Sequence, residues 1–166
     1  GIGKAVARSF IKHGGKVILA DCDQKELEKT VLELGNCAEG IELDVVDEFA
    51  TESIVNKAFG LFGTVNTVIP NAGVLLLKHG IDTSASEFRK VIDVNLTGAF
   101  ITATTFAREM IQKNIDGRII MTSSLFGLRG GKENSAYSAS KFGMIGLMHC
   151  LAAELADKKI LVNCVC

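Results

Sequence analysis

Residues 1–21 read GIGKAVARSFIKHGGKVILAD, and the order of features in them decides the fold. Over residues 4–13, Val6, Phe10 and Ile11 share one face of a helix. Gly14-Gly15 then stops that helix, because glycine takes up the left-handed backbone that a helix C-terminus favours. Residues 16–20, KVILA, are a short apolar run closed by Asp21. The rest of the chain repeats this alternation. Residues 24–34 predict a helix with Leu27, Val31 and Leu34 in register, and Ile41 and Leu43 lie in a brief strand ending at Asp44. A helix over 47–61 precedes a strand from Val65 to Ile69, closed by Pro70-Asn71-Ala72-Gly73. A long helical region spans 84–113, with a break near 82–84. A strand over 118–122 leads to Ser123 and Ser124, a polar loop runs from Gly127 to Ser135, and a helix covers 136–157 before a final strand-like run at 160–166. The strands are continuous apolar runs, which predicts a parallel sheet covered on both faces. Strand–helix alternation predicts an α/β fold with a doubly wound parallel sheet, in one domain over residues 1–166.

Composition agrees with a packed core. Of 166 residues, 48% are apolar and 22% charged, which excludes intrinsic disorder. Eighteen Lys and Arg against nineteen Asp and Glu leave a net charge of −1, which argues against nucleic acid as a partner. No apolar run is long enough for a membrane span. Five cysteines without C-x-x-C spacing predict reduced, mostly buried thiols and a cytoplasmic location. His13, His79 and His149 stand apart, so no metal site is expected.

The chemistry is concentrated at strand ends, where open parallel sheets bind ligands. Gly1-Ile2-Gly3 enters a helix whose free amides suit a phosphate, although G-x-G alone also describes an ordinary turn. Asp21 stands 20 residues after Gly1, where an acid accepts hydrogen bonds from a ribose 2′-hydroxyl and repels a 2′-phosphate. That favours NAD over NADP. Asp44-Val45, Asn71-Ala72-Gly73 and Ser124 follow the next strands, in positions that short polar residues also occupy as plain turns. The strongest signal is Tyr137-Ser138-Ala139-Ser140-Lys141. It puts the only tyrosine of the chain and a lysine on one helix face, where an ammonium favours a phenolate. Such a tyrosine can exchange a proton with an alcohol or carbonyl oxygen, and the Ser124 hydroxyl could hold the same oxygen.

With these residues in view, the chain resembles the short-chain dehydrogenase/reductase family over nearly all of its length. Gly1-Ile2-Gly3 resembles the tail of the family's T-G-x-x-x-G-x-G motif, and Asn71-Ala72-Gly73 its N-A-G element. Asp44-Val45 matches the pair that touches adenine, and Asn95, within Val94-Asn95-Leu96-Thr97-Gly98, the helix asparagine of a proton relay. Ser124, Tyr137 and Lys141 match the catalytic trio. Ser124 is preferred to Ser123 because neighbouring strand residues point to opposite faces. The resemblance implies a Rossmann-like fold and an NAD(P)-dependent oxidoreductase (EC 1.1.1 type) acting on a secondary alcohol or ketone. It implies Tyr137 as general acid/base, Lys141 on the nicotinamide ribose, and Asn95 placing a water beside Lys141. It also implies a homodimer or homotetramer formed through the two long central helices; Met144, Ile145, Leu147, Met148 and Leu151 fit such a contact, and half or more of them fit the sheet-facing side equally. The family pattern has a first strand before Gly1, between the strands ending at Asp21 and Asn71, and a proline–glycine after Cys166. A segment lacking these ends is expected to be inactive alone. Two rival readings are a catalytically silent nucleotide-binding or scaffold protein of this fold and a sugar-nucleotide epimerase-type relative.

Overall fold

A computed structural model describes residues 1–166. Helix α1 (Ile2–Lys12) starts two residues earlier than periodicity predicts, with Gly1 as its N-cap, and ends as Gly14 turns to φ +83°. Strand β1 (Val17–Asp21) is followed by α2 (Gln24–Leu34), whose N-cap Asp23 accepts a hydrogen bond from the Glu26 amide. Strand β2 occupies Ala38–Glu42, earlier than the predicted Ile41–Asp44. The reason is Gly40. A methyl built there would lie 2.9 Å from Val31 and 3.2 Å from Leu27, so α2 packs directly on this strand where no apolar side chain marks it.

Helix α3 (Glu48–Phe62) is capped by the Asp47 side chain. Strand β3 is only Thr67–Val68, not the predicted Val65–Ile69, although the flanking Asn66 and Pro70 carbonyls still accept ladder bonds from Arg118 and Thr122. The break near 82–84 is a 3-10 turn at Gly80–Asp82, after which Ser84 and Glu87 form a capping box. Helix α4 (Ala85–Ile92) then runs through a π-helical turn at Asp93–Thr97 into α5 (Gly98–Gln112). Strand β4 (Gly117–Thr122), helix α6 (Ser135–Leu155) and strand β5 (Ile160–Val165) complete the chain.

All strand pairs are parallel, as expected. They form two separate pieces, β1-β2 and β3-β4-β5. Helix α3 packs on α5. The main core lies where α3, α5 and α6 meet the three-stranded sheet. Met110, Ile119, Met121 and Met144 are fully buried there. Truncating one of these to alanine costs about 2–5 kcal/mol.

One expectation needs correction and two are sharpened. Cover differs between the two faces of the sheet. β4 and β5 bury Ile119, Met121, Ile160 and Val162 on one side, while Leu161 and Val165 on the other are more than half exposed. The cysteines are free, but Cys22, Cys37, Cys150 and Cys166 are exposed and only Cys164 is partly buried. Of the apolar stretch on α6, Met144 and Leu151 face the core, so they do not present an outer surface; the large apolar side chains exposed on the long helices are Phe88, Phe100 and Ile111 along α4 and α5, and Phe142 on α6. No helix is long and apolar enough to cross a membrane.

Candidate active site

A chain of short contacts joins the start of α1 to the middle of the sheet and then to α6. A methyl built on Gly3 would stand 3.1 Å from Asn71 Nδ2, so the helix begins against this side chain only because residue 3 is glycine. The Thr122 hydroxyl donates to Asn71 Oδ1 at 3.2 Å, and the Thr122 carbonyl accepts the Lys141 ammonium at 2.7 Å. Thr122, at the end of β4, therefore ties Asn71 to Lys141. The sequence offers no signal for this role beyond its place beside Ser123.

Asn95 lies inside the π-helical turn and is fully buried. A π turn widens the helix locally, and such turns occur often at functional sites. The Asn95 Oδ1 accepts the Val74 amide at 2.7 Å, while its Nδ2 donates to the Val74 carbonyl at 3.0 Å and to Ser140 Oγ at 3.0 Å. Ser140 in turn donates to the Tyr137 carbonyl at 2.7 Å. The asparagine thus clips the segment after Gly73 to the first turns of α6. A methyl on Gly73 would lie 3.3 Å from Asn95 Oδ1 and 3.7 Å from Lys141 Nζ, which brings Gly73, Asn95 and Lys141 to one spot. Val45 leans on Gly98 just beyond the π turn, where a methyl would be 2.6 Å from it.

Lys141 is 3% exposed, and burial pushes its pKa below the ordinary lysine value while the nearby Cys164 thiol opposes the shift. Burial likewise pushes the Cys164 thiol up, against its hydrogen bond with Ser123. Tyr137 stands one helical turn before Lys141, whose ammonium is 5.6 Å from the centre of its ring. The two serines differ sharply. Ser123 is buried and donates its proton to the Lys141 carbonyl at 3.1 Å. Ser124 is half-buried and accepts the Phe126 amide at 3.2 Å, which leaves its own O–H free to donate elsewhere.

The remaining sites lie at the rim. Gly1 has open space around it, and the first turn of α1 carries no side-chain cap. Asp21 ends β1 beside Glu42, is exposed, and takes the Asp23 amide on one oxygen at 3.0 Å. Asp44 accepts the Val46 amide at 3.2 Å. It lines a concavity of about 370 Å³ with Val46, Ser86, Arg89 and Asp93, and Tyr137 does not take part in that lining.

Comparison with known proteins agrees with the fold. The family model described as short chain dehydrogenase matches residues 1–166. Borneol dehydrogenase, mitochondrial, of Lavandula x intermedia is 36% identical, covering 99% of this chain and 63% of its own length. The 3-oxoacyl-[acyl-carrier-protein] reductase of Rickettsia typhi is 35% identical over 99% of this chain and 66% of its own. The crystal structure of sorbitol-6-phosphate 2-dehydrogenase from Erwinia amylovora superposes with a TM-score of 0.94 at 30% identity, over 99% of this chain and 66% of that one. The chain thus spans just under two thirds of the length of such relatives. A family match over residues 1–166, a shared Rossmann-like fold and relatives above 30% identity place this chain in the short-chain dehydrogenase family.

Proposed function

We propose that this chain carries the cofactor cradle and catalytic centre of an NAD-dependent oxidoreductase acting on a secondary alcohol or its ketone. The observation that carries the reading is the pairing of Tyr137 with a buried Lys141, beside a Ser124 whose proton is uncommitted.

The residues fit a dinucleotide. The uncapped first turn of α1, at Gly1, Ile2 and Gly3, offers free amides and a positive helix end to a pyrophosphate. Asp21 has one carboxylate oxygen free for ribose hydroxyls. Together with Glu42 it presents negative charge that disfavours a 2′-phosphate, and this is the basis for preferring NAD over NADP. Asp44 and Val45 would flank the base, with Asn71, Ala72 and Gly73 along the central edge. Lys141 uses one N–H on Thr122 and keeps two for the nicotinamide ribose and a water.

A bound nicotinamide would supply the hydride acceptor for oxidation and the hydride donor for reduction. In oxidation Tyr137 takes the proton of the alcohol O–H as the carbinol C–H electrons leave. In reduction it returns that proton to the carbonyl oxygen. Ser124 donates a hydrogen bond to the same oxygen, where charge develops. The Lys141 ammonium stands 5.6 Å from the centre of the Tyr137 ring, and Asn95 holds the backbone at Val74, one residue after the glycine that borders Lys141. We further propose a homodimer or homotetramer formed through the long helices, with Phe100 and Phe142 as outward anchors.

The test uses the protein at the full length its gene encodes, mixed with NAD and a series of secondary alcohols, and follows reduced nicotinamide by absorbance. Turnover that collapses in Ser124→Ala is the expected result. Tight NADH binding with no exchange of hydride in either direction, for any alcohol or ketone, would refute the reading.

A further inference from the structure

We propose that Phe126 is a positioning residue that sets Tyr137 and Ser124 relative to each other, and that residue 131 is glycine to leave room for its ring. The inference rests on Tyr137 as the proton-transferring group. Its evidence is local and independent of the cofactor.

Phe126 touches both partners. Its ring meets Tyr137 edge-on, with centroids 6.3 Å apart and planes at 79°, the arrangement that aromatic quadrupoles favour. Its backbone amide donates to Ser124 Oγ at 3.2 Å, which turns the serine proton outward. One residue therefore orients the serine by its amide and backs the tyrosine by its ring.

The loop then folds back over that ring. A methyl built on Gly131 would overlap Phe126 Cε1 and stand 3.0 Å from Cδ1 and 3.2 Å from Cζ. The backbone does not require glycine here, since the positive-φ glycines are Gly14, Gly35 and Gly63. Space does. The ring cannot retreat by shifting the turn beneath it. At Gly127 a methyl would overlap Ser123 Oγ and lie 2.9 Å from the Lys141 carbonyl, so Leu125–Gly127 already sits flush against α6. A side chain at 131 must swing the Phe126 ring, and Tyr137 is its edge-on neighbour.

The experiment compares wild type, Gly131→Ala, Phe126→Leu and the double variant, with Tyr137→Phe as reference, all at the full gene-encoded length. Three quantities are read: kcat for NAD-linked oxidation of cyclohexanol, NADH affinity by fluorescence, and the ring signals of 13C-labelled tyrosine, assigned to Tyr137 by their loss in Tyr137→Phe. In Gly131→Ala, kcat falls about tenfold, the scale of one aromatic pair, and the Tyr137 signals move while NADH affinity holds. In the Phe126→Leu background, the same Gly131→Ala change alters kcat by less than about twofold and leaves the signals in place. Equal losses in both backgrounds overturn the proposal, as does a Gly131→Ala variant with normal kcat and unmoved signals. Should cyclohexanol prove inert, the ring signals decide alone. Should Gly131→Ala fail to fold, a folded double variant supports the clash and an unfolded one refutes it. An undiminished kcat in Tyr137→Phe removes the proton-transfer reading instead, whatever Phe126 does.

Discussion

At the residue scale, the role proposed for Lys141 is set against stability. Its ammonium is buried with one carbonyl partner, and burial costs a charge more than a single hydrogen bond returns. Because the folded pKa lies below the unfolded value of 10.5, the penalty is full below the folded pKa and disappears as the pH rises towards 10.5. Lys141→Met removes that penalty but leaves the Thr122 carbonyl unpaired. Thermal unfolding at neutral pH should therefore change by less than about 1 kcal/mol. Turnover should fall at least a hundredfold, roughly the lower end of what acid–base machinery contributes. A large loss of stability together with intact turnover would reverse this account of the lysine. Asp21 gives a second residue-level prediction. Asp21→Ser removes the charge facing a 2′-phosphate, so kcat/KM should shift towards NADP by at least about tenfold, measured with both cofactors. No shift would assign Asp21 to the β1 turn alone.

At the scale of elements, the α4 entrance depends on Glu87. Its carboxylate takes Lys78 at 2.8 Å and the Ser84 amide at 2.8 Å, and these bonds hold its pKa down to about 2. The folded value lies below the ordinary 4.5, so the stabilisation is complete above about pH 4.5 and is lost as the pH falls through about 2. Glu87→Gln should therefore melt lower than wild type at pH 7, and the gap should close on acidification across that window. Ser84→Ala, which removes the other half of the box, should cost about 1 kcal/mol. A gap for Glu87→Gln that is independent of pH would exclude the carboxylate as its source.

Elements also show what was legible in the sequence. Tyr137 and Lys141 could be paired from sequence because a helix fixes which side chains share a face. The order of strands and helices followed from apolar runs and glycine stops. Strand β2 was misplaced because Gly40 contributes close packing without an apolar side chain. The π turn around Asn95 adds one residue to a helical turn and leaves no periodic trace. The contacts of Thr122 with Asn71 and Lys141, and of Gly131 with Phe126, join segments distant in sequence or folded by a loop, so composition and spacing could not reveal them. Free thiols were expected inside the fold, but two of the exposed ones, Cys22 and Cys37, lie one residue beyond the end of β1 and one before the start of β2, outside the packed strands.

For the whole molecule, two parallel sheet pieces hold the rim and the centre of the site. β1 and β2 end at Asp21 and near Asp44, while β3 and β4 end near Asn71 and at Thr122. Exposed Phe100 on α5 and Phe142 on α6 carry the assembly proposal. Phe100→Glu with Phe142→Glu should convert the assembly to a smaller species in light scattering, and an unchanged mass would remove these helices from the interface. The central claim concerns proton transfer at Tyr137, and Tyr137→Phe tests it most directly, because it deletes one oxygen and keeps the ring against Phe126. The account predicts a fall in kcat of about 10²–10⁴-fold with NADH affinity unchanged. Turnover within a few-fold of wild type would contradict it.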